Sequence, residues 1–357
     1  MKSVISLLIM FFCFHNLAYS ESSPGLLSQL ETLENSQFVS TPDQDHQPLI
    51  DAFNEAKTSI FVGIFGISDL NIANALSAAH KRGVNVVVIC DKYCSNNPKR
   101  LEIYTKLKDD GIEIYTATTG FSISHWKMFV IDEKKAFIST MNFIVRTAQM
   151  RDVGVFFTNP NLIREIVAVF KSDVENAKNQ TALTPPLTQP NLVWSPNNSE
   201  TKLAELIASA EISIDIWIEN LGEKVIHNAL KNAITKGVKI RLLTSECGMG
   251  MPPQASFVNL KDLKDSKIDV HVMPFPATSE IPYIHAKTID VDRKTIFLGS
   301  ENFSPNSLLK ARELGVIFRS TEIETKMNSL FQSDWNHSKE LPETAPATCS
   351  PLVSLAI

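Results

Sequence analysis

His125-Trp126-Lys127-Met128-Phe129-Val130-Ile131-Asp132 and His285-Ala286-Lys287-Thr288-Ile289-Asp290-Val291-Asp292 are two spellings of one segment. Counting from each His, a Lys falls at +2, an Asp at +7, a small residue at +14, a hydroxyl at +15 and an Asn at +17. Ser139, Thr140 and Asn142 in the first copy therefore answer to Gly299, Ser300 and Asn302 in the second. With 8 His in the chain, one accidental match to the His–Lys–Asp spacing is expected in roughly a few per hundred such chains. Two copies that also agree at their distal positions are not coincidence. On a strand, residues two apart leave the same face, so each His and Lys point one way while Trp126 and Met128 turn into packing. Val130-Ile131 and Phe137-Ile138 read as strand–turn–strand around Asp132, and Ile289–Val291 with Ile296–Leu298 repeats this around Asp292.

Working outward, the segments around each copy are also duplicated. Ahead of the first come apolar strands at Ser59–Ile64, Val84–Cys90 and Ile112–Thr116, alternating with helical patterns at Leu49–Ala56, Leu70–His80 and Leu101–Leu107. The same order returns with strands at Ile212–Ile218, Val238–Leu243 and Ile268–Met273 and helices at Leu203–Ala210, Val225–Ile234 and Val258–Leu263. Such alternation predicts an α/β fold, internally duplicated, with two mixed, mostly parallel sheets flanked by helices. The expected divisions are 21–46 as a leader segment, 47–176 as the first domain, 177–198 as an Asn/Thr/Pro-rich linker, 199–337 as the second domain and 338–357 as a tail.

These residues resemble the phospholipase D superfamily, whose signature is His-x-Lys, four residues, Asp, six residues, then Gly-Ser/Thr-x-Asn. The resemblance runs over residues 50–335. The second copy matches throughout; the first has Ser139 for the usual Gly and Asp152, before Val153-Gly154, where Glu is usual. Glu313-Leu314-Gly315-Val316 is similar to the family stretch that supplies a histidine-orienting acid. The resemblance implies two halves facing each other across a pseudo-twofold axis around one shared active site. It implies catalytic roles for His125, Lys127, Asp132, His285, Lys287 and Asp292, with no cofactor and no metal.

In the implied mechanism His125 attacks phosphorus to form a phosphohistidine while His285 protonates the leaving oxygen; water activated by His285 then releases the phosphoryl group. Lys127 and Lys287, helped by Asn142 and Asn302, hold the phosphoryl oxygens. Asp152 and Glu313 accept from the far nitrogen of the nearer histidine, so Asp152 is expected to orient His125. Thr140 and Ser300 are read as hydrogen-bonding support, and Asp132 and Asp292 as fixing their local loops and balancing lysine charge. Phe65 and the other phenylalanines near strand ends are read chiefly as core.

Composition narrows the substrate. The formal charge is −5, which disfavours indiscriminate nucleic-acid binding. Residues 1–20 combine Lys2, an apolar Val4–Phe14 run and small Ala18 and Ser20, the build of a cleaved signal peptide. An exported, secreted or periplasmic protein follows, in which Cys90, Cys94, Cys247 and Cys349 are free to form disulfides. The leading expectation is a monomeric phospholipase D that acts on glycerophospholipids, with transient membrane contact and transfer to an alcohol as a variant of the second step. A secreted nuclease acting on DNA or RNA and a non-catalytic phosphate- or membrane-binding protein are the alternatives.

Overall fold

The computed structural model describes residues 25–33, 35–145, 149–248 and 253–346. The signal peptide and Cys349 lie outside the described residues. In chain order the elements are α1 (Leu26–Gln29), β1 (Gln37–Thr41), α2 (Gln47–Glu55), β2 (Ser59–Ile64), α3 (Leu70–Lys81), β3 (Asn85–Cys90), α4 (Pro98–Asp109), β4 (Glu113–Thr116), β5 (Lys127–Ile131), β6 (Lys135–Ser139), β7 (Met150–Phe157) and α5 (Pro160–Asn179). Then come β8 (Leu192–Ser195), α6 (Ser199–Ala208), β9 (Ser213–Ile218), α7 (Lys224–Thr235), β10 (Lys239–Ser245), α8 (Pro253–Asp265), β11 (Asp269–Met273), β12 (Tyr283–Ile284), β13 (Lys287–Val291), β14 (Thr295–Gly299), α9 (Pro305–Leu309), β15 (Glu313–Phe318), α10 (Thr321–His337) and β16 (Lys339–Glu340).

Two sheets result, ordered β1-β7-β6-β5-β2-β3-β4 and β16-β11-β10-β9-β13-β14-β15-β8. Apart from β16, and from β12, which joins β7 of the first sheet, each strand of one sheet has a counterpart at the same place in the other. The duplication read from the motifs is thus a duplication of the fold. The sheets are mixed, but not mostly parallel. Apart from the short β7–β12 pair, parallel pairing is confined to β2-β3-β4 and β9-β10-β11, which helices connect. From β5 to β7 and from β13 to β15 the chain doubles back antiparallel; the short turns at 132–134 and 292–294 can only join antiparallel neighbours. The stretches read as leader and linker supply edge strands: β1 pairs with β7, and β8 with β15.

The apolar side chains form three main layers. Helices α2, α3 and α4 cover one face of the first sheet, where Leu49, Phe53, Leu76 and Leu107 meet Ile60, Val62 and Val88. Helices α6, α7 and α8 do the same for the second. The inner faces of both sheets share a third cluster, in which Trp126, Met128 and Val130 join Ala286, Leu298, Val316 and residues of α5 and α10. Trp126 is fully buried there, against a β2 position where only glycine fits: a Cβ on Gly63 would lie 2.5 Å from the indole.

Two buried arginines tie the halves together crosswise. Arg151 at the start of β7 forms a two-pronged pair with Asp334 of α10, at 2.8 and 2.9 Å. Arg312, just before β15, pairs with Asp173 of α5 at 2.9 Å. Each arginine belongs to one half and each aspartate to the other. Breaking such a buried pair leaves an uncompensated charge and costs about 3–5 kcal/mol.

Candidate active site

Each motif strand begins where the two halves meet. The backbone N–H groups of His285 and Ala286 both donate to the Arg151 carbonyl, at 3.1 and 2.8 Å, and those of His125 and Trp126 donate to the Arg312 carbonyl, at 2.8 and 3.2 Å. The residue after each arginine is the acid expected to orient a histidine. Docking each motif on the other half therefore crosses the carboxylates. His285 Nδ1 lies 2.8 Å from Asp152 Oδ1, and His125 Nδ1 lies 2.9 Å from Glu313 Oε2. The expectation that Asp152 orients His125 is corrected: it serves His285, and Glu313 serves His125.

Both carboxylates are held in turn. Thr140 Oγ1 donates to Asp152 and Ser307 Oγ to Glu313. The expected support from Thr140 is present. Ser300 instead accepts from the Leu314 N–H at 3.2 Å. With Nδ1 engaged by a carboxylate, each ring keeps Nε2 for chemistry.

Lys127 and Lys287 are buried, and both ammonium groups curl back to the carbonyl of their own motif histidine. Burial drives Lys127 down to about 7, with Lys287 adding repulsion and Glu313 opposing it. Burial, then Lys127, also lowers His125 against the pull of Glu313. His125 thus stands as a neutral imidazole at physiological pH. Because His125 and Lys127 respond to Lys287, and Lys127 to Glu219, the two motifs form one electrostatic site rather than two.

Asp132 and Asp292 do not reach it, although the spacing grouped them with the catalytic residues. Each lies at the far end of its strand, as the first of two consecutive positive-φ residues: Asp132 (53°) with Glu133 (50°), and Asp292 (55°) with Arg293 (56°). That is the backbone of a tight hairpin turn, where Asp is favoured. The Asp132 carboxylate accepts from the N–H groups of Lys57, Thr58 and Ser59, and Asp292 from those of Glu211, Ile212 and Ser213. They pin the turn to the start of the neighbouring strand. Fixing the local loop was the right role for them; balancing lysine charge was not.

Three site residues carried no motif. Glu219 follows β9; its Oε2 accepts from Lys287 Nζ at 2.8 Å and Asn302 Nδ2 at 3.3 Å, and lies 3.6 Å from His285 Nε2. Phe65, at the matching position after β2, sets its ring 5.2 Å from that of His125, edge to face, and 5.7 Å from Lys127 Nζ. Glu301 is fully buried, and neither carboxyl oxygen has a hydrogen-bond partner. Burial, then Glu313, pushes it well above the usual carboxylate range. It also accounts for the glycine that the first copy lacks: a Cβ on Gly299 would lie 2.3 Å from Glu301 Oε2, whereas Met141 occupies the Glu301 position beside Ser139. The signal available in the sequence was a carboxylate directly following a buried strand, and another inside the Gly-Ser-x-Asn run. Among the described residues, no group of three or more His, Cys, Asp or Glu is placed to hold a metal ion.

A duplicated α/β fold carrying two carboxylate-oriented histidines and two buried lysines at one interface defines a phospholipase D-type scaffold. The chain belongs to the cardiolipin synthase, PLD-like domain family, whose model matches residues 49–174 and 203–335. It is 25% identical over 369 residues to phospholipase D Z of Dictyostelium discoideum, covering 84% of this chain and 86% of that one. A polyphosphate kinase of Vibrio cholerae is 29% identical over 210 residues, 54% of this chain and 29% of that protein. In three dimensions the chain is similar to phosphatidylserine synthase of Haemophilus influenzae, with a TM-score of 0.66, 13% identity and coverage of 87% and 88%. At that identity the likeness concerns the fold.

Proposed function

We propose that the chain is an exported phospholipase D that hydrolyses the distal phosphodiester of glycerophospholipids through a phosphohistidine. The observation that carries this reading is the pair of crossed contacts, His125–Glu313 and His285–Asp152. They give one site two imidazoles of fixed orientation, one neutral and one flanked by two carboxylates.

In the first step His125 Nε2 attacks phosphorus; the P–O bond to the headgroup breaks, and His285 gives its proton to that oxygen. In the second, His285 takes a proton from water, whose oxygen attacks phosphorus and returns His125 to its free form. Lys127, Lys287, Asn142 and Asn302 stabilise charge on the non-bridging oxygens. His125 suits the nucleophilic role because it is held neutral, and His285 the acid role because Asp152 fixes its Nδ1 while Glu219 lies 3.6 Å from its Nε2.

Lipid as the substrate is supported by the net acidic chain and by similarity over 84% of the chain to a protein called a phospholipase D. Export is supported by the signal-like residues 1–20.

The test is turnover by the mature protein and by its His125→Ala and His285→Ala variants, with EDTA, on mixed phospholipid vesicles and on single- and double-stranded DNA. Headgroup release abolished in both variants is the expected result. DNA cleavage with intact lipid would overturn the substrate and keep the chemistry.

A further inference from the structure

The donors assigned to phosphoryl oxygens in the second half of the site already converge on an oxygen. Lys287 Nζ, Asn302 Nδ2 and His285 Nε2 surround Glu219 Oε2 at 2.8, 3.3 and 3.6 Å, and Tyr283 Oη steadies Oε1 at 3.2 Å. Burial works to raise the Glu219 carboxyl, but Lys287 and His285 outweigh it and hold it below the usual carboxylate range. It is a permanent anion at working pH.

Among the described residues, the first half has no carboxylate at the matching position. Ile64 lies opposite Lys127 as Ile218 lies opposite Lys287, so Phe65 takes the place of Glu219. The pseudo-symmetric cradle is therefore half occupied by the protein's own carboxylate and half open.

We infer that Glu219 is a specificity-determining residue, a resident anion that makes the cradle favour monoanionic phosphodiesters over dianionic phosphate monoesters and inorganic phosphate. A diester brings one negative charge, which Lys287 and Lys127 accommodate beside Glu219. A monoester brings nearly two at neutral pH, and the second meets a fixed like charge in a site of low dielectric. The same repulsion speeds release of a phosphomonoester product. The inference rests on the phosphoryl-site reading above, and it names the charge class of ligand which that site takes.

Isothermal titration calorimetry at pH 7.5, with inorganic phosphate and separately with dimethyl phosphate, tests it on the mature protein and on Glu219→Gln. Removing the charge should tighten inorganic phosphate by at least about tenfold and dimethyl phosphate by no more than about threefold. The converse variant, Phe65→Glu, adds a carboxylate to the open half and should weaken inorganic phosphate more than the diester. Thermal melting establishes that each variant is folded. Unchanged or weaker phosphate binding by folded Glu219→Gln would overturn the inference, making Glu219 only a tether for Lys287. Failure of every form to bind either anion would overturn the phosphoryl-site reading beneath it as well.

Discussion

His285 and Asp152 stand 133 residues apart in sequence, on opposite halves of the chain, with Nδ1 and Oδ1 2.8 Å apart. The Arg151 carbonyl holds the backbone of His285 and Ala286, so the contact follows from how the halves dock, not from local spacing. Asp152→Asn should lower kcat on the order of 10²-fold, part of the 10²–10⁴ that positioned acid–base groups supply. The informative readout is the imidazole ¹⁵N NMR spectrum at fixed pH: the substitution should move the His285 ring resonances by far more than those of His125. Glu313→Gln should do the reverse. If Asp152→Asn moved His125 and spared His285, the crossed arrangement would be wrong.

Asp132 gives a contrasting expectation. Its carboxylate satisfies three backbone N–H groups at the turn before β2. Asp132→Ala should cost about 1–3 kcal/mol of stability by orphaning those donors, while kcat of the protein that remains folded changes less than about threefold. Chemical denaturation beside single-temperature kinetics separates the two effects. A loss of kcat comparable to that of His125→Ala in a fully folded variant would return Asp132 to the catalytic set.

Lys127 gives the site a pH dependence. Burial places its pKa near about 7, so in the free protein it loses its proton above that pH. A bound phosphoryl anion favours the charged form and raises the value. Affinity for dimethyl phosphate, which stays monoanionic, should therefore fall as pH rises from 7 to 9, with uptake of up to one proton on binding. Calorimetry in buffers of different ionisation enthalpy measures that proton, and Lys127→Arg should abolish the uptake. A flat affinity profile with no proton taken up would contradict this.

Asp290 lies in the second motif strand, buried, with Oδ1 unpartnered. Burial, then Glu324 and Asp215, pushes it up to about 7. The folded form keeps a proton that the unfolded chain has lost, so the stability this group contributes is full below about pH 4 and lost as pH rises through 7. Asp290→Asn should stabilise the protein on the order of 2 kcal/mol at pH 8 and have little effect at pH 4. Melting curves at the two pH values decide it; equal shifts at both would show that Asp290 is charged throughout.

The sequence exposed what repeats and hid what depends on docking. Two motifs in two matching strand series sufficed to name His125, Lys127, His285 and Lys287 and to foresee a duplicated α/β fold. The partners of those histidines were legible as residues but not as pairs, because the exchange of Asp152 and Glu313 is made by the Arg151 and Arg312 carbonyls. Glu219 and Phe65 escaped for a related reason: each merely follows a buried strand, and only the strand pairing sets it beside a lysine. The antiparallel share of the sheets was underweighted since β5, β6 and β14, buried on both faces, carry apolar runs like those of parallel strands.

The central claim, one site with two histidines of unequal role, is tested most directly by trapping the intermediate. His285→Ala protein mixed with a short-chain glycerophospholipid and quenched in base should carry an acid-labile phosphoryl adduct on His125, identified by mass spectrometry. His125→Ala protein should carry none. An adduct on His285 in the His125→Ala protein, or no histidine adduct in any form during active turnover by the unmodified enzyme, would contradict the account.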